Sequence, residues 1–166
     1  LIDGEAIEAF EREGNKPQVY QTKDEQEGVA AVIDILNKYQ NDHDAVAIIG
    51  KDLKDSEELY QKLNANNIKT TVIRTENQRL VKGPIVVPSY LAKGLEFDTV
   101  FLVGANEGQM PYKKAKTDRE TEEERRLFYV GMTRAKEILK ICYVKTKNGK
   151  EVSPSRFVDE LLDAEI

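Results

Sequence analysis

Several kinds of function are excluded by what this 166-residue chain lacks. It has one cysteine, Cys142, in an apolar strand-like run, so no disulfide framework closes within it. That fits a reducing compartment such as the cytoplasm, with Cys142 read as a small buried residue. It has one histidine, His43, in a polar stretch beside two aspartates, and no cysteine cluster. A metal site is therefore not expected, and a Ser-His-Asp triad has no support. No apolar run has membrane length, and no leader pattern opens the chain. The phosphate-cradling pattern Gly-x-x-x-x-Gly-Lys-[Ser/Thr] does not occur. Gly50-Lys51-Asp52 and Gly149-Lys150-Glu151 lack both its upstream glycine and its hydroxyl residue. No strand ends in an Asp-Glu pair suited to magnesium, since Val158-Asp159-Glu160 falls in a helical pattern. There is no internal repeat and no low-complexity tract.

What is present describes a folded domain. Hydrophobic residues make up 40% and charged residues 33%, and the length suffices for one domain, residues 1–166, with a real core. A net charge of -5 argues against nucleic-acid binding through bulk charge but permits a local groove. The first residue is Leu1 rather than Met, which fits a piece of a longer protein. Strand patterns at 18–21, 45–49, 70–73, 84–87, 99–103 and 138–144 alternate with helical ones at 24–40, 54–66, 121–136 and 155–162. Asp55 or Ser56 stands near the start of the second helix. The run Ala45–Ile49 is continuously apolar, as in a strand buried on both faces. The alternation predicts an α/β domain, a mainly parallel sheet flanked by helices.

Two motifs carry chemistry. In Lys93-Gly94-Leu95-Glu96-Phe97, a glycine that permits close backbone approach precedes a carboxylate suited to ribose hydroxyls. The same pentapeptide also reads as a turn with Glu96 capping or solvated. In the run from Glu122 to Ala135, Leu127, Val130 and Arg134 share a helical stripe, and Gly131 costs about 1 kcal/mol against alanine unless something packs closely there. Arginine on an apolar face needs a partner. Its planar, permanently charged fork suits a transition-state phosphate. An intradomain salt bridge to one of the nearby glutamates is the bland alternative.

Taken in order, Ala-Lys-Gly-Leu-Glu-Phe (92–97), Glu-Gly-x-x-Pro (107–111), Glu-Glu-Glu-Arg-Arg-Leu (122–127), Tyr-Val-Gly (129–131), Thr-Arg-Ala (133–135) and Pro-Ser-Arg-Phe (154–157) resemble motifs V and VI and flanking signatures of superfamily 1 helicases of the UvrD/Rep/PcrA type. The resemblance covers about residues 84–162. It implies a RecA-like fold of the P-loop-NTPase type: the second motor domain, 2A, without the P-loop. It also implies a nucleotide site with Glu96 on the ribose, Arg134 as an arginine finger on the γ-phosphate, and Gly94 in the nucleotide-facing loop. ATP and Mg2+ would be held mainly by an N-terminal RecA-like domain of the same protein, so this chain alone is expected to be inactive. Tyr90 stands where the family usually has histidine touching single-stranded DNA, and Lys93 would lie at the edge of the same groove. The family's motif IV, Asn-Tyr-Arg-Ser, is not found. Only residues 67–83 occupy the place of the large 2B insertion. Together with residues 10–17 and 86–94, that resembles HelD proteins, RNA-polymerase-associated factors, and gives a second possible partner.

Overall fold

A computed structural model describes residues 16–38 and 45–164. Within them, six parallel strands form one sheet: β1 (Gln18–Thr22), β2 (Val46–Gly50), β3 (Thr71–Val72), β4 (Ile85–Pro88), β5 (Phe97–Leu102) and β6 (Ala135–Val144), in the order β1-β6-β5-β2-β4-β3. Helices α1 (Glu25–Lys38) and α2 (Leu53–Ala65) cover one face, and α3 (Asp118–Met132) and α4 (Arg156–Ala164) the other. This is the expected α/β architecture. His43, and residues 10–15 of the HelD-like stretch, lie outside the described residues.

The continuous apolar run of β2 follows from burial on two sides. Val46 and Ile48 enter the core beneath α1 and α2, while Ala47 and Ile49 enter the core beneath α3 and α4. Phe101 and its neighbours Val100 and Leu102 divide in the same way. Gly131 sits where α3 crosses the sheet: a Cβ there would stand 3.0 Å from Leu102 Cδ1. Helix and sheet approach to the limit that glycine permits.

Local chemistry sets the element boundaries. Helix α2 is capped by Asp52, whose carboxylate accepts from the Asp55 amide at 2.9 Å, and Asp55 lies in the first turn, near the helix start as expected. Helix α3 runs three residues earlier at its start and four earlier at its end than the expected 121–136. Thr117 caps it, Oγ1 accepting from the Glu120 amide at 3.1 Å. It stops at Met132 because Ala135 already pairs with Phe97 in the sheet. Arg134 therefore does not share a helical stripe with Leu127 and Val130; it is in the two-residue link between α3 and β6. A hairpin, β7 (Thr146–Lys147) and β8 (Lys150–Glu151), turns through Asn148-Gly149, both at positive φ.

Candidate nucleotide-contacting site

The link between α3 and β6 holds Arg134 at three points, none of them a carboxylate. Its Nε donates to the Val130 carbonyl at 3.0 Å, Nη1 to the Leu95 carbonyl at 3.3 Å, and Nη2 to Thr133 Oγ1 at 3.1 Å. A guanidinium has five N–H donors, so these three bonds leave two. The intradomain ion pair is absent: no carboxylate among the described residues bonds to Arg134. The end of α3 exposes carbonyl oxygens and the negative pole of the helix dipole. Arg134 sets a cation against that pole.

Glu96 is built into the same joint. The Arg134 side chain binds the carbonyl of Leu95, and the Phe97 amide donates to the Arg134 carbonyl at 2.8 Å. Glu96 lies between those two contacts, exposed, and no bond to its carboxylate is formed among the described residues. It caps nothing. Gly94 supplies the turn before it, at φ +83°, where an L side chain is strained. The structure thus brings Gly94, Glu96 and Arg134 together.

Tyr90 and Lys93 belong to the start of the same segment. Residues Ser89–Leu91 make one 3₁₀ turn after β4. Ser89 is buried, and its hydroxyl donates to the Lys51 carbonyl at 3.1 Å. Tyr90 is 48% exposed and Lys93 is exposed, so Tyr90 is not a core side chain. Register separates the two groups. Pro88 is level with Gly50, and Thr99 with Val46. Phe97 lies two residues further down, so β4 ends about six residues, or roughly 20 Å, from where β5 begins. Residues 89–96 descend this distance. Tyr90 is at the carboxyl end of the sheet; Glu96 and Arg134 are at the amino end.

The carboxyl end also holds a cluster that motif reading missed. Lys51 Nζ pairs with Glu124 Oε1 at 2.6 Å and stands 3.9 Å from the centre of the Tyr112 ring. Burial lowers the Lys51 pKa, with Glu124 opposing. On the far face of the sheet, a hollow between α1 and α2 is lined by Asp55 and Cys142 among others. Burial and then Asp52 raise the Asp55 pKa, and burial pushes the Cys142 thiol up to about 12, leaving it neutral and inert.

The remaining motif residues bind one another. Glu107 accepts from the Arg156 amide at 2.6 Å and from its guanidinium at 3.1 and 3.0 Å. The Ser155 hydroxyl donates to the Met110 carbonyl. Arg125 donates to Glu160 at 3.1 and 2.9 Å, pairs with Glu122, and lies 5.1 Å from the centre of the Phe157 ring. These contacts brace α3 and α4 and leave their charges satisfied. Among the described residues, no group of three or more His, Cys, Asp or Glu side chains is placed to hold a metal ion.

Comparison with known proteins identifies the family. The UvrD-like helicase C-terminal domain model matches residues 90–146, the stretch containing Tyr90, Lys93, Gly94, Glu96 and Arg134. The crystal structure of the C-terminal domain of a possible DNA helicase from Lactobacillus plantarum WCFS1 is 37% identical, with a TM-score of 0.71 over 94% of this chain and 90% of that one. A probable DNA helicase II homolog of Mycoplasma capricolum is 32% identical over 89% of this chain, and DNA helicase II of Escherichia coli is 51% identical over 42% of it. The chain spans 20% and 10% of the lengths of those two relatives. With its parallel sheet, its motifs in order and a near full-length structural counterpart, the chain belongs to the UvrD-like helicases, as a C-terminal domain of that family.

Proposed function

We propose that residues 1–166 form the second motor domain, 2A, of an ATP-dependent DNA helicase or translocase that works in the cytoplasm on single-stranded DNA. The observation that carries this reading is Arg134: a half-buried guanidinium held by neutral oxygens, with two N–H donors left, in one joint with Glu96, whose carboxylate has no partner among the described residues. Magnesium-bound ATP, held mainly by the N-terminal RecA-like domain, supplies the phosphoryl group that passes to water. Arg134 directs its two spare donors at the γ-phosphate oxygens, where charge is redistributed in the transition state. Glu96 accepts from the ribose hydroxyls, and the turn at Gly94 sets its position. Tyr90 stacks on a base and Lys93 meets the phosphate backbone at the opposite end of the sheet. The segment 89–96 joins the two ends.

In the full-length protein, Arg134→Ala should lower kcat by about 10³–10⁵-fold with little change in ATP affinity. Arg134→Lys should restore little, because a point charge does not reproduce the fork. Near-normal turnover in Arg134→Ala would overturn the reading. The 166-residue chain alone should not hydrolyse ATP, and submicromolar ATP binding by calorimetry would count against an open half-site.

A second reading keeps the chemistry and changes the output to remodelling of RNA polymerase. It is favoured by the connection between α2 and β4, which contains only β3 and the two loops flanking it where the helicases of this type carry 2B. ATPase assays with and without single-stranded DNA separate the two: stimulation by the strand supports the translocase.

A further inference from the structure

Thr133 closes α3 and touches the one arginine on which the proposed chemistry depends. Its hydroxyl lies 3.2 Å from the Tyr129 carbonyl and 3.1 Å from the Val130 carbonyl. A hydroxyl has one proton and two acceptor lone pairs. The proton is committed to the helix carbonyls, so a lone pair faces outward. That lone pair accepts from Arg134 Nη2 at 3.1 Å. Of the three acceptors on Arg134, two are backbone carbonyls fixed by the fold, and Thr133 Oγ1 is the one supplied by a side chain. The backbone carbonyls hold Nε and Nη1, and Thr133 holds Nη2. Without it, one terminal amino group of the fork is left to water.

We propose that Thr133 is a positioning residue for Arg134: its hydroxyl relays the end of α3 to the guanidinium and fixes the plane of the fork. This rests on the reading of Arg134 as the phosphate-contacting residue. It assigns a task to the threonine that Thr-Arg-Ala alone does not reveal. The β-branched side chain is restricted at χ1, and its Oγ1 is locked by the helix carbonyls, so the acceptor presented to Arg134 is rigid rather than merely near.

The test uses the full-length protein. Thr133→Val keeps the shape and removes the hydroxyl; it should lower kcat by about 10- to 100-fold, the range for losing one hydrogen bond to a charged group, while KM for ATP moves less than about threefold. Thr133→Ser keeps the acceptor and should retain most of the wild-type rate. Affinity for ADP with aluminium fluoride, a transition-state mimic, should fall with Thr133→Val by a similar factor, while affinity for ADP is unchanged. Thr133→Ala, which introduces no new bulk, gives the same reading if the valine variant does not fold. In the Arg134→Ala background, Thr133→Val should cost nothing further, because a positioning residue has nothing left to position. A wild-type rate in both Thr133→Val and Thr133→Ala, with Arg134→Ala impaired, would overturn the inference alone. A Thr133→Val loss that persists in full in the Arg134→Ala background would also overturn it, marking a purely structural role. Near-normal turnover in Arg134→Ala would overturn both this inference and the reading beneath it.

Discussion

Charged residues around the sheet are used in two ways, and the amino end shows both, since Lys136 and Asp98 pair there at 3.8 Å. At the carboxyl end, Lys51 is clamped between Glu124 and the Tyr112 ring, and Arg156 is bound by Glu107. At the amino end, Arg134 and Glu96 share a joint, yet neither pairs with a carboxylate or cation among the described residues. The carboxyl end is where ligands of open parallel sheets usually bind. A nucleotide contact at the amino end suits a domain that completes another domain's site. Under the proposed function, paired charges such as Arg125 brace the domain, and Arg134 and Glu96, without charged partners among the described residues, serve the nucleotide.

The largest effect expected from that contrast compares two arginines of one motif run. Arg134→Ala should cost about 10³–10⁵-fold in turnover per folded molecule, an effect far larger than the stability lost with its three neutral hydrogen bonds. Arg125→Ala should do the reverse. Its side chain is 12% exposed and carries Glu160, Glu122 and the Phe157 ring, so truncation leaves Glu160 short of its main partner. A loss of about 1–3 kcal/mol in unfolding free energy is expected, with turnover per folded molecule retained. Equal stability losses in the two variants would erase the distinction between the carboxylate-paired and the unpaired arginine.

The sheet, its parallel sense and the amino-acid types at Glu96 and Arg134 were legible in the sequence. Strong periodicity over buried strands and the order of the motifs carry that much. The limits of α3 were not, although Thr117 and Glu120 form a capping signature. A helical pattern runs on through Met132-Thr133-Arg134-Ala135, and only the pairing of Ala135 with Phe97, distant in sequence, ends it. The same long-range pairing decides that Arg134 meets Leu95 rather than a glutamate. The Asn148-Gly149 hairpin carried a local signal that the helix-and-strand alternation overshadowed. The Lys51–Glu124–Tyr112 cluster had none, since its members come from three separate segments.

Tyr90 tests whether the carboxyl end also reaches a ligand outside the chain. It is exposed beside a buried serine that anchors the turn. In the full-length protein, Tyr90→Ala should weaken single-strand binding by about 1–3 kcal/mol if the ring stacks on a base. Strand-stimulated ATPase should fall while basal ATPase stays close to wild type, since Tyr90 is roughly 20 Å up the strands from Glu96. Unchanged strand affinity would remove Tyr90 from the groove and favour the polymerase-remodelling reading.

The smallest expected effect lies at a carboxylate that is poorly compensated rather than free. Asp55 is in the first turn of α2, where the helix dipole favours negative charge, but burial and the neighbouring Asp52 raise its pKa from 3.8. The folded state therefore holds the Asp55 proton more tightly than the unfolded chain does. Stability from this group is greatest below pH 3.8, declines as pH rises through the folded value, and is at its minimum at neutral pH. Asp55→Asn removes the charge and keeps the amide that donates to Asp52. It should raise the melting temperature at pH 7, by less than about 1 kcal/mol in unfolding free energy because Asp55 is half exposed and screened. The gain should shrink as pH falls, and the two proteins should melt together near pH 3. If Asp55→Asn instead melts lower at pH 7, the dipole outweighs burial. Asp55 would then count among the satisfied charges of the carboxyl end.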